Sequence, residues 1–108
     1  MPGMQHVPHI PYVEVSAVPE DAFILDVREP DEWSAGHVEG SLHVPMGQVP
    51  ARLADIPGDC RVVVACRSGG RSARVTDFLR QQGYDAVNLE GGLKAWDAAG
   101  RAVTGPVI

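Results

Sequence analysis

No stretch of this 108-residue chain stays apolar for the ~20 residues that a membrane-spanning helix needs, so no bilayer-spanning segment is expected. The start of the chain, Met1 to Pro11, is rich in His and Pro and lacks the apolar core of a signal peptide. Basic charge is also short. The net charge is -5 and the pI about 5.2, which sets aside nucleic acid and anionic membrane as partners. Cysteine is scarce: Cys60 and Cys66 sit at opposite ends of one predicted strand. At ~3.3 Å per residue they lie roughly 20 Å apart, too far for a disulfide. A free thiol in a reducing, cytoplasmic setting is therefore the expectation. His6 and His9 have no cysteine or carboxylate at ligand spacing, so neither a metal nor a cofactor is expected.

What is present suits a soluble globular protein. Hydrophobic residues make up 44% of the chain and charged residues 21%, enough to build a core without metal or disulfide staples. The length fits one domain. Residues 1–9 read as a flexible N-terminal arm, 10–100 as the folded domain and 101–108 as a C-terminal tail.

Strands and helices alternate through that domain. Tyr12 to Val15 alternates as a short strand, and Phe23 to Val27 is a continuous apolar run of the kind buried on both faces. Residues 29–36 carry Pro and acids in a first helical turn and Gly at the end. Leu42 to Val44 reads as a brief strand. Val49, Leu53 and Ile56 form a helical stripe across 47–56, with Pro50 in its first turn. Arg61 to Ala65 is the most β-prone run. A helix is expected over Arg71 to Gln82, capped by Gly83, then a strand over Asp85 to Leu89 and a short helix around Leu93 and Trp96. This order predicts an α/β fold with a mostly parallel sheet and right-handed crossovers. Ligands in such sheets bind at the carboxyl ends of the strands, where Asp26 to Arg28 and Cys66 to Arg71 both fall.

The stretch from Val62 to Ser72 concentrates the chemistry. A β-branched run ends on Cys66, and Arg67, Ser68, Gly69, Gly70, Arg71 and Ser72 follow before the helical pattern begins. Two glycines allow a tight curl that turns several backbone N–H groups onto one point, an anion nest at a helix N-terminus. That field, with Arg67 and Arg71 nearby, favours thiolate over thiol. The loop thus predicts a nucleophilic sulfur together with a site for a small anion. Burial alone would explain a lone cysteine, but a merely structural strand end has no need of the arginines, serines and glycines that follow. From the residues alone, sulfur transfer, phosphate chemistry and redox sensing all remain open.

Four motifs in order then carry a resemblance to the rhodanese (sulfurtransferase) family over roughly residues 10 to 100. They are Asp26-Val27-Arg28-Glu29 with Glu32-Trp33, the segment Gly36 to Pro45, the loop Cys66 to Ser72, and Leu89 to Trp96. A single copy is present, so the chain resembles the single-domain form. The resemblance implies a three-layer fold with a central, mostly parallel sheet flanked by helices. It also implies ping-pong sulfur transfer: Cys66 takes the outer sulfur of a donor such as thiosulfate, carries it as a persulfide, and passes it to cyanide, a thiol or a protein acceptor. Arg67, Ser68, Gly69, Gly70, Arg71 and Ser72 would then bind the donor, with Arg67 favouring thiosulfate.

Two other readings share part of this pattern. A phosphatase or arsenate reductase of the Cys-x5-Arg type uses five residues between cysteine and arginine, whereas four separate Cys66 from Arg71. A rhodanese-like module acting as a sulfur relay or regulator on a protein partner differs chiefly in its acceptor. Behind the loop, Asp26 and Arg28 read as an ion pair pinning loops, and His37 as a cap on helix carbonyls. Trp33 and Trp96 read as core or rim, and Cys60 as a bystander. Ser72 can serve the bound anion or cap the following helix.

Overall fold

The computed structural model describes residues 9–108, so the expectations placed on residues 1–8, including most of the N-terminal arm and His6, lie outside the described residues. Five strands form one sheet: β1 (Tyr12–Val13), β2 (Phe23–Asp26), β3 (Leu42–His43), β4 (Val62–Ala65) and β5 (Ala86–Leu89). Their order is β1-β5-β4-β2-β3, and every pairing is parallel. Three α-helices, α1 (Pro30–Ala35), α2 (Gly70–Gln81) and α3 (Gly92–Ala98), connect or flank the strands.

β4 lies in the middle of this sheet, and its composition follows from that position. Val62, Val64 and Cys66 enter one apolar cluster with Leu25, Val75 and Leu79, while Val63 and Ala65 enter the other with Ile24, Leu93 and Trp96. Successive strand residues face opposite ways, so burial of both faces makes the whole run apolar. The same alternation sends the Cys66 side chain to the face covered by α2.

α1 opens with a capping box: the Glu29 side chain accepts from the Glu32 N–H, and Glu32 Oε1 accepts from the Glu29 N–H at 2.9 Å. Two segments depart from the sequence expectation. Only Tyr12–Val13 of the first strand pairs with the sheet, because Val15–Ala17 winds into a 3-10 turn that buries Val15. The stripe over 47–56 is not an α-helix. It is two 3-10 turns, Met46–Gln48 and Pro50–Asp55, with Arg52 off helical geometry at φ -119 and ψ 25. Pro50 has no N–H to bond back one α-turn, and the tighter turns still bury Val49 and Ile56.

The segment 101–108 packs across the domain. Arg101 Nη1 donates to the carbonyls of Val15 and Val18, both at 2.8 Å, and its guanidinium lies 4.1 Å over the Trp96 ring. Val103 and Val107 pack on the cluster around Trp96, and Thr104 N donates to His37 O at 2.9 Å. No helix among the described residues is long and apolar enough to cross a membrane.

Candidate active site

Cys66 directly follows β4, 1% exposed, and the chain after it curls back over its own sulfur. The turn needs Gly69, whose φ of 111 lies where side chains are strained. It delivers Gly69 N to 3.1 Å from Cys66 Sγ, and the backbone N–H groups of Ser68 and Ser72 add their dipoles to the field at that atom. The Ser72 hydroxyl is 3.3 Å from Sγ. Burial pushes the thiol up, but the Ser72 hydroxyl and these backbone N–H groups outweigh it and hold the Cys66 pKa below its ordinary value. The expected convergence of loop N–H groups is what the structure has.

The closing motif holds this loop from behind. Leu93 N donates to Cys66 O at 2.9 Å and Lys94 N to Arg67 O at 3.0 Å, so the free amides at the start of α3 are capped by the loop itself. Gly92 makes the approach possible. It has φ 63, and a Cβ there would meet Arg67 O at 2.5 Å and Cys66 O at 2.6 Å.

Each of the two loop arginines donates to another part of the chain. Arg71 Nη1 and Nη2 donate to Glu32 Oε1 and Oε2 at 2.7 and 2.9 Å, a two-pronged ion pair from α2 to α1. Glu32 is held down to about 2, chiefly by this hydrogen-bonded guanidinium, and Arg71 is raised in return. The sulfur of Cys66 acts on Arg71 less strongly than this carboxylate does. Arg67 turns the other way, its Nε donating to Ile108 O at 3.0 Å. The thiolate is therefore favoured mainly by neutral donors.

Asp26, Arg28 and His37 lie behind the loop. Asp26 accepts from Arg28 N, Nε and Nη2 at 2.9–3.1 Å, and Arg28 Nη2 also donates to Gly36 O at 2.7 Å. Both side chains are buried. His37 Nδ1 is 2.9 Å from Trp33 O, at the end of α1, and its ring stacks on Trp33 at 3.6 Å. Among the described contacts, none of these three side chains reaches Cys66. Ser68 is exposed. Cys60 is a free, exposed thiol away from the loop.

Asn88 escaped the sequence reading. Its Oδ1 is 2.6 Å from Ser72 Oγ, and its Nδ2 donates to Gly69 O at 3.1 Å, so one amide grips both ends of the turn. The signal was a polar residue inside a strand whose other positions are all apolar and buried. A cavity of about 580 Å³, lined by Ile24, Val38, Trp96 and Arg101 among others, lies at the opposite, amino-terminal edge of the strands and includes none of the loop residues.

Comparison with known proteins agrees with this geometry. The chain matches the family model of the rhodanese-like domain over residues 14–99. It is 42% identical over 88 residues to a sulfurtransferase from Allochromatium vinosum, covering 81% of this chain and 82% of that protein. A rhodanese-related protein from Thermoplasma volcanium has a similar structure, with TM-score 0.82 and 30% identity over 87% of this chain and 97% of that one. A thiosulfate sulfurtransferase from Pseudomonas aeruginosa matches at TM-score 0.80 and 28% identity, covering 90% of this chain and 20% of that one.

Proposed function

We propose that this chain, which belongs to the rhodanese-like domain family, moves a sulfane sulfur through a persulfide on Cys66. The observation that carries the proposal is the cradle of N–H groups closing on Cys66 Sγ, with Gly69 N at 3.1 Å. A depressed pKa supplies the nucleophile without a neighbouring base. The thiolate attacks the outer sulfur of the donor, the donor's S–S bond breaks, and its electron pair leaves with the remainder, sulfite in the case of thiosulfate. The transferred sulfur stays on Cys66 as a terminal sulfur anion, stabilised by donors fixed before the charge arrives. Cyanide, a thiol or a protein acceptor then attacks that sulfur and returns Cys66 to the thiolate.

Arg67, Ser68, Gly69, Gly70, Arg71 and Ser72 form the donor-binding loop in this scheme. Asp26, Arg28 and His37 position it from behind. The resemblance to the Allochromatium and Pseudomonas proteins supports the reaction class, and thiosulfate or a similar sulfane donor is the substrate proposed. Two free thiols suit a cytoplasmic, reducing setting. A sulfur relay to a protein partner uses the same chemistry and changes only the acceptor.

Intact mass measurement after exposure to a sulfane donor tests the scheme. One added sulfur on Cys66, removed by cyanide with formation of thiocyanate, is the expected result. Sulfur transfer that survives in Cys66→Ser would take Cys66 out of the mechanism.

A further inference from the structure

The arginines of this acidic chain divide by place. Arg28, Arg52, Arg61, Arg71, Arg80 and Arg101 each have a carboxylate within 4.0 Å. Among the described residues, Arg67 and Arg74 have none. Arg74 is exposed on α2, one turn beyond Arg71. It lines the rim of an apolar cleft of about 180 Å³ where α2 meets the 3-10 turns, with Met46, Val49, Pro50, Val75 and Phe78 as its walls. Sites that enclose a small-molecule ligand run to about 300–1,000 Å³, so this cleft has room for a side chain or two and no more. The sulfur loop lies next to it. Val75 packs in the same core cluster as Cys66. Met46 N donates to Val27 O and Val27 N to Ala65 O, both at 3.0 Å, which ties the cleft wall to the strand end that precedes Cys66.

We propose that this cleft docks the protein that takes sulfur from Cys66, by receiving an apolar side chain whose neighbour in sequence is a carboxylate that pairs with Arg74. This rests on Cys66 being the sulfur carrier. Two features fix the partner's chemistry. The walls are apolar, with Met46 and Phe78 only partly buried against the core, so an apolar side chain is what displaces water there. The rim holds a guanidinium that the chain's own carboxylates leave unmatched, although acids outnumber bases by 14 to 9. A net charge of -5 repels an acidic partner as a whole, so its recognition has to come from a local cation of this kind. Arg74 lies ~4.5 Å along α2 from Arg71, and a few extended residues of a docked segment span the distance to the loop. The partner's thiol sulfur then takes the outer sulfur of the Cys66 persulfide. The Sγ–S bond breaks with its electron pair going to Sγ, and the thiol proton ends on the new persulfide.

Synthetic acceptor peptides test this. Acetyl-Glu-Leu-Gly-Ser-Cys-amide is compared with acetyl-Gln-Ser-Gly-Ser-Cys-amide, and sulfur passing from preloaded Cys66 to each is followed by mass. KM for the Glu-Leu peptide is expected to be about tenfold lower, the scale of one half-buried leucine and one exposed ion pair. Arg74→Glu erases most of that difference, and a peptide with Lys in place of Glu regains it on the variant. Thiocyanate formation from cyanide is the same in both proteins. Equal KM values on the wild type overturn the proposal, as does a charge-swapped pair that recovers nothing. An Arg74→Glu variant that slows cyanide and peptide alike also overturns it, by placing Arg74 in the sulfur chemistry. So does inorganic phosphate that displaces the Glu-Leu peptide where chloride of equal ionic strength does not, which makes the cleft a small-anion site. If wild-type Cys66 takes up no sulfur, the carrier role itself fails. The same peptides with fluorescein on the cysteine then decide the docking site by anisotropy, which the Glu-Leu peptide must win for the cleft to stand.

Discussion

Ser72 Oγ stands 2.6 Å from Asn88 Oδ1 and has one proton to give. The same oxygen lies 3.3 Å from Cys66 Sγ. Asn88 cannot be turned over to relieve the competition, because its Nδ2 is occupied by Gly69 O and a flipped amide would set two oxygens against each other. Among the described residues the hydroxyl is the one side-chain donor to the thiolate sulfur, and it is shared. Ser72→Ala removes it, so the pH midpoint of iodoacetamide alkylation at Cys66 should rise by about one pH unit. In the unaltered protein that midpoint should lie below that of a free cysteine. An unshifted midpoint would contradict the cradle.

Acid stability reports on Glu32. Its folded pKa, about 2, is depressed below the ordinary carboxylate value. A depressed carboxylate contributes stability that is present above the unfolded pKa and is lost as pH falls through the folded one. Urea midpoints should therefore drop between about pH 4.5 and pH 2 in the wild type, and more shallowly in Glu32→Gln. Parallel profiles would mean that the Arg71 pair adds nothing to folding.

Asp26 and Arg28 make the opposite kind of pair, fully buried and short in sequence. One donor, Arg28 Nη1, has no hydrogen-bond partner among the described residues, so the pair is not built for stability alone. Arg28→Met strands a buried carboxylate and should cost about 3–5 kcal/mol in urea unfolding. Replacing Asp26 and Arg28 together with apolar residues should cost less than Arg28→Met alone. Simple addition of two penalties would refute the pairing argument.

Gly70 within the loop and Gly92 behind it should behave differently. Gly92→Ala puts a methyl group into Arg67 O and Cys66 O at a positive φ, with an expected loss of about 1–3 kcal/mol. Gly70→Ala meets nothing within 4 Å at the start of α2, so thermal unfolding should stay level or rise slightly. Similar losses for both would point to the whole loop as strained.

The sequence reveals the sheet because each buried strand is a run of apolar residues and each helix has its own punctuation, as with Gly83 after α2. It reveals the cradle because Cys66, Gly69 and the helix after them are contiguous. It does not reveal Glu32 as the partner of Arg71, 39 residues away, since nothing local distinguishes a capping-box acid from one that also crosses to another helix. Asn88 does carry a local signal, a polar residue in an apolar strand, but its partners Ser72 and Gly69 lie 16 and 19 residues away. The 3-10 turns over 46–55 share an apolar stripe with an α-helix, and only the missing N–H of Pro50 hints at the difference.

Gly36 has extended backbone, φ 176, that any residue could adopt. It is glycine because the segment 101–108 crosses it: a Cβ on Gly36 would strike the backbone of Gly105, and one on Gly105 would strike Ala35 O. His37 and Thr104 bolt the crossing, with Thr104 N donating to His37 O and His37 N to Thr104 Oγ1. From there the chain runs to Ile108 beside Arg67. Anything attached beyond Ile108, such as a purification tag, a fluorophore or a fused partner, therefore sets out from the rim of the sulfur loop, and a bulky cargo there should impede large acceptors before small ones.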